Sequence, residues 1–195
     1  MEAPSPPSNV EPAATLHGQL REMYGRVAYT HKTHEKMADL CADTLRQFKI
    51  AQIVLSALAT CGVISLFLTD ELLAKIITAL LSFASLVVAG YMKGFDPGGA
   101  AQKHRDAAAL LWSVRESYQS LLTDLVRGAL SATDATARRD ELQDAVARIY
   151  QGAPHTNGKA YQTAQHALKQ LEDYTFSDDE IDKFLPASLR RSARL

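Results

Sequence analysis

Seven polar side chains lie within two long apolar segments of this chain, at helical spacing. They are Gln52, Ser56 and Thr60 in the first segment, and Lys75, Thr78, Ser82 and Ser85 in the second. Steps of three and four residues place side chains on one side of an α-helix. Polar groups in a bilayer turn away from hydrocarbon, so these seams either line a water-filled pore built from several copies or let helices pack closely. The sequence leaves both interpretations open.

The two apolar segments have the length needed to cross a membrane. Residues 50–68 contain one strongly polar side chain, Gln52. As a helix they would span about 28 Å, close to the hydrocarbon thickness of a bilayer. Residues 76–92 carry no charge, and a start at Leu72 adds only Lys75, whose long stem can bring its ammonium to the interface. We therefore predict a transmembrane hairpin over residues 50–92, with helices at about 50–68 and 72–92.

Charged residues around the hairpin predict its orientation. Lys and Arg lie on both outer flanks, before residue 50 and after residue 92, whereas the turn Thr69, Asp70, Glu71 contains none. Cytoplasmic segments carry the excess of basic residues. We expect two spans in the inner membrane, both termini in the cytoplasm and the acidic turn outside. A purely soluble helical hairpin would rarely run this long without charge.

The remaining sequence predicts an all-α membrane protein whose transmembrane hairpin continues into a cytoplasmic helical bundle. Hydrophobic positions recur every three to four residues from Thr15 to Lys49, and nothing interrupts the helix before the first span. The segment KGFDPGG should end the second span, and a new helix should begin near Ala100. The predicted parts are a disordered tail 1–14, a cytoplasmic helix 15–49, the hairpin 50–92, a cytoplasmic helical domain 93–189 and a basic tail 190–195.

Within the domain 93–189 we expect helices over 100–130, 134–150 and 159–174, and a short capped helix that stops at Pro186. Trp112 and Tyr118, both on the first of these helices, are expected to point into the hydrophobic core of the domain. Tyr161 and Leu171 are expected on the buried stripe of the third.

The polar residues outside the spans give little indication of catalysis. His31 and His34 lie three residues apart, but zinc needs three or four converging ligands, so we expect them to be solvated and predict no metal site. Lys103, His104, Arg105 and Arg115 are weaker candidates for contact with the phosphates of a nucleotide signal. Lipid headgroups or helix ion pairs such as Arg115 with Glu116 are the simpler interpretation.

Composition excludes several other classes of function. The formal net charge of −1 gives no case for DNA or RNA binding. The two cysteines, Cys41 and Cys61, fall in cytoplasm and lipid respectively, so no disulfide is expected. No nucleophile motif or phosphate loop is present. We predict a protein that is not an enzyme and has no cofactor.

The order of segments around the hairpin resembles a known family. The segments are RVAYTHKTHEKMADL, HRDAAALLWSVRESYQSLLTDL, RRDELQDAVARIYQGAPHT, AYQTAQHAL and SDDEIDKFLP. Over residues 15–189 this layout resembles the SLATT domain, the two-transmembrane effector domain named for its association with SMODS nucleotidyltransferases and SLOG proteins. The resemblance implies an antiviral, abortive-infection type of defence system in which a pore-forming effector permeabilises the inner membrane. It supplies no catalytic residues.

The resemblance and the seams together predict the partners. We expect membrane lipid, further copies of the same chain in a homo-oligomer, and a trigger that is either a cyclic nucleotide or a sensor protein from a neighbouring gene. The alternative function is a non-conducting membrane anchor or scaffold that recruits a cytoplasmic partner.

Overall fold

The computed structural model describes residues 10–68, 71–186 and 189–191, and within these residues it is all-α, as predicted, with 86% helix overall and no strand. Two stretches are long and apolar enough to cross a membrane. The described helices are α1 (Val10–Leu66), α2 (Leu72–Phe95), α3 (Pro97–Val126), α4 (Ala132–Gly152), α5 (Gly158–Lys169) and α6 (Asp178–Phe184).

The first helix runs unbroken from the helical domain into the first apolar segment. It contains 57 residues, about 85 Å of helix, and continues through Lys49 and Ile50 as the sequence predicts. It begins at Val10, five residues before the predicted start at Thr15. Pro12 permits the earlier start, because a proline in the first helical turn removes an N–H that has no intrahelical partner. Residues 1–9 of the predicted tail lie outside the described part.

One residue, Asp96, separates α2 from α3. Its backbone is left-handed, with φ 37° and ψ 63°, and its carboxylate accepts a hydrogen bond from the Gly99 amide at 2.9 Å. Pro97 fits the first turn of α3, where its fixed φ is already helical. A Cβ at Gly99 would lie 2.1 Å from Asp96 Oδ2, so a larger residue there would force the capping carboxylate to shift. The new helix therefore begins three residues before the predicted Ala100.

The hydrophobic core of the helical domain lies where α1, α3 and α4 meet. Leu20, Leu111 and Tyr118 are its largest fully buried side chains. Helix α5 packs against α1 through small residues, with Ala160, Ala164 and Ala167 buried. We call residues 15–49 of α1, together with α3 packed along them, the stalk. Residues 50–66 of α1 and the facing α2 form the hairpin.

Three predicted core positions are wrong, while Tyr118 is confirmed. Trp112 is 52% exposed because the buried stripe of α3 runs through Leu111 and Val114 instead. Tyr161 lies on the exposed side of α5. Leu171 is exposed because α5 ends at Lys169, five residues before the predicted end.

The ends of the predicted elements agree in part with the structure. Helix α6 begins with the predicted capping box between Ser177 and Glu180 and ends at Phe184, shortly before Pro186. Thr69 and Asp70 of the acidic turn, and residues 192–195 of the basic tail, lie outside the described residues.

Candidate functional site

The polar seams of the two apolar segments meet across the hairpin. Gln52 Nε2 donates to Ser85 Oγ at 2.8 Å, and the hydroxyls of Ser56 and Ser85 lie 3.3 Å apart. A side-chain hydrogen bond between helices in lipid satisfies groups that hydrocarbon would leave unpaired. Gln52 Oε1 is buried and has no hydrogen-bond partner among the described residues. These contacts place the polar groups of both helices along one common edge.

Close helix contact near the turn depends on a glycine facing a threonine. Thr78 is 6% exposed, and its hydroxyl donates to the Ala74 carbonyl at 2.8 Å. A Cβ at Gly62 would lie 2.4 Å from Thr78 Oγ1, so only glycine lets the backbones approach this closely. For Thr78, the packing interpretation of the seam fits this arrangement.

The other candidates along the edge face outward. Thr60, Lys75 and Ser82 are exposed in the single chain, and the Thr60 hydroxyl donates to the Ser56 carbonyl at 2.8 Å. Whether the seven candidates line a pore or only pack remains a prediction. In the single hairpin some of them lie between the two helices and others lie on the outer surface. Gln52, Thr78 and Ser85 lie in the contact between the two helices, whereas Thr60 and Ser82 are exposed on the outside of the hairpin.

Apart from this edge, the hairpin surface is apolar. In the most apolar stretch of 18 residues in α1, no residue is buried inside the protein. In the corresponding stretch of 18 residues in the second apolar segment, 6% of the residues are buried. Ile53, Leu58, Leu80 and Phe83 are all at least half exposed. A soluble core helix would bury such side chains, so this surface fits lipid.

Three aromatic rings lie in contact at the end of the hairpin that joins the stalk. The Tyr91 ring lies 4.6 Å from Phe48 and 4.5 Å from Phe95, centroid to centroid. Lys49 directly follows Phe48, and Lys93 comes two residues after Tyr91. Aromatic and basic residues of this kind concentrate where a membrane helix enters the headgroup region.

Two buried histidines face each other within the stalk. His34 Nδ1 of α1 and His104 Nδ1 of α3 lie 3.0 Å apart, and both residues are at most 3% exposed. Burial, then the nearby His104, lowers the pKa of His34 to about 4. Burial also lowers the pKa of His104. Both rings are therefore uncharged at neutral pH, and the Nδ1–H of one ring donates a hydrogen bond to the Nδ1 of the other.

A second cluster lies about one turn away from this pair along α1. The Tyr174 hydroxyl lies 2.6 Å from His31 Nδ1, and the Arg115 guanidinium carbon lies 4.4 Å above the Tyr174 ring. Arg115 also pairs with Glu116 at 2.7 Å, as predicted. Burial is the main cause that lowers the pKa of His31. The prediction that His31 and His34 are solvated is wrong, because α3 and the segment after α5 cover that face of α1.

Of the four weak signal candidates, Arg105 and Arg115 line one cleft, whereas Lys103 and His104 do not line it. His104 is buried against His34, and Arg115 is held by Tyr174 and Glu116. Lys103 and Arg105 are exposed, and Arg105 lines an open cleft of 740 Å³ beside Tyr174. Contact of this set with a nucleotide remains a prediction.

The described residues contain no cluster of three or more His, Cys, Asp or Glu side chains able to hold a metal ion.

Tyr174 is the site residue that sequence reasoning missed. It follows the end of α5 in an irregular segment, so no periodicity indicates its contact with the stalk.

The chain matches a model of a known protein family. The family model described as "SMODS and SLOG-associating 2TM effector domain family 4" matches residues 16–180 of this chain. No curated protein and no solved structure matches significantly.

Proposed function

We propose that this chain, which belongs to the SMODS and SLOG-associating 2TM effector domain family 4, permeabilises the inner membrane by assembling its hairpins into an oligomer. The family name describes a two-transmembrane effector domain, in defence-associated systems, and not a known enzyme family. Membership therefore makes the chain a membrane protein of the effector class. Oligomer formation, ion conduction and an antiviral outcome are our proposal.

The observation that carries the proposal is the polar edge of an otherwise apolar hairpin. Ser82 and Thr60 are exposed on the outer surface of helices whose large exposed side chains are mostly apolar, among them Ile53, Leu80 and Phe83. A polar group facing lipid is unfavourable, so it favours contact with a polar surface or with water. Several hairpins that turn these edges toward one another would place them around a shared interior.

The unbroken α1 supports a mechanism for control. Because the helix passes through Lys49 and Ile50 without a break, a rotation or displacement of the stalk is transmitted to the first span. On this account the helical domain holds the resting protein closed, and a partner protein or a nucleotide signal releases it. Both termini lie in the cytoplasm in this arrangement, as the basic flanks favour.

A non-conducting anchor or scaffold is the second candidate. The hydrogen bonds of Gln52 and Ser56 to Ser85 favour it, because they satisfy polar groups inside one hairpin without any pore. Such a protein would bring a cytoplasmic partner to the membrane and leave the membrane sealed.

Ser82→Leu separates the two candidates. It adds apolar bulk on the outward part of the polar edge and leaves the Gln52–Ser85 hydrogen bond in place. Ala57→Leu is the matched control, since Ala57 is exposed on the first span outside the four-residue spacing of the seam. Ion leakage from cells that express each variant is measured with a potential-sensitive dye.

For a pore, Ser82→Leu reduces leakage about tenfold or more relative to Ala57→Leu, while both proteins insert to the same level. A conducting protein in which the two variants leak equally would refute the assignment of this edge to the pore. An absence of leakage in the wild type, with and without its neighbouring genes, would favour the scaffold.

A further inference from the structure

The segment that follows α5 is fixed to the stalk by two adjacent side chains. Asp173 Oδ2 lies 2.9 Å from Lys32 Nζ, and the Tyr174 ring stacks on His31 with centroids 5.6 Å apart and planes at 15°. Lys32 Nζ and the Arg115 guanidinium both lie within 5.0 Å of the centre of the Tyr174 ring. A cation over an aromatic face and a salt bridge beside it form a two-part recognition contact.

This contact is the polar connection between the end of the chain and the stalk. Within the described part of residues 171–191, every hydrogen bond, ion pair and ring contact to α1 or α3 involves Asp173 or Tyr174. Glu172, just before them, adopts a left-handed backbone with φ 51°. This conformation is unfavourable for a residue with a side chain, and it persists here because the neighbouring contacts hold the segment in place.

The contact joins both helices of the stalk. His31 and Lys32 belong to α1, whereas Arg115 belongs to α3, so Tyr174 bridges the two. An open cleft of 740 Å³ lies beside the Tyr174 ring and is lined by Lys32 and Arg115 as well. Release of Tyr174 would leave Lys32 and Arg115 without one of their partners at the α1–α3 interface.

The chain beyond Tyr174 offers a surface on which a partner can act. Helix α6, which follows Tyr174, begins with a capping box between Ser177 and Glu180. Its apolar side chains and those flanking it are exposed: Phe176, Ile181, Phe184 and Leu189. Any protein that binds them acts on a segment that Tyr174 ties to the stalk.

We propose that His31, Lys32 and Arg115 form a peptide-binding socket whose resident ligand is the Asp173–Tyr174 pair of the same chain, and that this contact is autoinhibitory. The occupied socket holds α1 and α3 together, and an emptied socket lets the stalk loosen and the hairpins assemble. The autoinhibitory part rests on the proposed pore function, whereas the socket itself does not.

The first test measures hydrogen exchange of the full chain in detergent micelles. Tyr174→Ala removes the ring, and Tyr174→Phe removes only the hydroxyl. Phe176→Ala is the matched control, because Phe176 is an exposed aromatic residue two positions further along the same segment. We expect Tyr174→Ala to raise exchange in residues 27–38 and 108–118 about tenfold, Tyr174→Phe to raise it less, and Phe176→Ala to leave it unchanged. Equal exchange in Tyr174→Ala and Phe176→Ala would overturn the socket.

The second test supplies the ligand from outside. A synthetic peptide, QLEDYTF, copies residues 170–176, and a control peptide carries alanine in place of its tyrosine. The first peptide should restore slow exchange to the Tyr174→Ala stalk, and the control peptide should not. An equal effect of both peptides, or of neither, contradicts specific recognition. This comparison holds even if Tyr174→Ala is partly unfolded, because the two peptides act on the same protein.

Ion leakage from cells tests the autoinhibitory part. Tyr174→Ala should leak more than Phe176→Ala without any trigger. If exchange in the stalk rises while leakage stays equal to that of the control, the contact is structural only and autoinhibition is wrong. If no variant leaks even when the neighbouring genes are present, the pore function fails, and autoinhibition fails with it, while the exchange data still decide the socket.

Discussion

Protonation of the buried pair His34–His104 should destabilise the stalk at mildly acidic pH. His34 has a pKa of about 4 in the folded protein, against 6.5 for a free histidine. The unfolded chain therefore binds a proton more readily, and stability is full above pH 6.5 and falls as the pH drops toward 4. From pH 7.5 to pH 5, this single group removes about 2 kcal/mol of unfolding free energy. His104 and His31, whose pKa values are also lowered, act in the same direction.

His34→Gln isolates this contribution, because glutamine does not titrate and its amide can still hydrogen-bond the His104 ring. Urea unfolding of the helical domain in detergent is followed by the fluorescence of Trp112, the single tryptophan, which lies on α3. The wild type should lose about 2 kcal/mol more than His34→Gln between pH 7.5 and pH 5. Free carboxyl groups titrate mostly below this window.

The matched control is His166→Gln, because His166 is exposed on α5. It should keep the pH dependence of the wild type. An equally steep loss of stability in His34→Gln and the wild type would refute the assignment of the acid sensitivity to the buried pair.

Three further predictions concern continuity, packing and an unpaired hydroxyl. Insertion of Gly-Pro between Lys49 and Ile50 should abolish toxicity while the protein still resists extraction from membranes by alkaline carbonate; persistent toxicity would reject coupling through α1. Gly62→Leu should push Thr78 away and lower hairpin stability in detergent by about 1–3 kcal/mol, seen as a lower thermal transition, and an unchanged transition would contradict the close approach. Tyr118→Phe should leave domain stability unchanged or raise it by about 1 kcal/mol in urea titrations, because the buried Tyr118 hydroxyl has no partner among the described residues; a clear loss would show that the hydroxyl is satisfied.

The hairpin and the continuity of α1 were predictable from the sequence because both depend on local patterns. Residues 50–68 carry no charge and are long enough to cross a bilayer, so they predict a span, and the lack of a proline or glycine near Lys49 leaves no place for a break. The location of the joint between α2 and α3 was also predictable, since glycines and a proline surround Asp96. Its bounds differ by a few residues because the Asp96 cap starts α3 earlier.

The stalk clusters could not be predicted, because they depend on which helices meet. His34 and His104 are 70 residues apart, and nothing near either one indicates the other. Tyr174 lies after the end of α5, where periodicity no longer assigns a face. Trp112 shows the reverse error: a large aromatic side chain suggests a core position, but the rotation of α3 is set by Leu111 and Val114 against α1.

Membrane potential in living cells tests the central claim most directly. A potential-sensitive dye is read in bacteria that express this chain with and without its neighbouring genes, beside cells that express Ser82→Leu to the same level. The account predicts depolarisation by the triggered wild type and a strongly reduced response from Ser82→Leu. A fully polarised membrane in every wild-type condition, with the protein inserted, would contradict it.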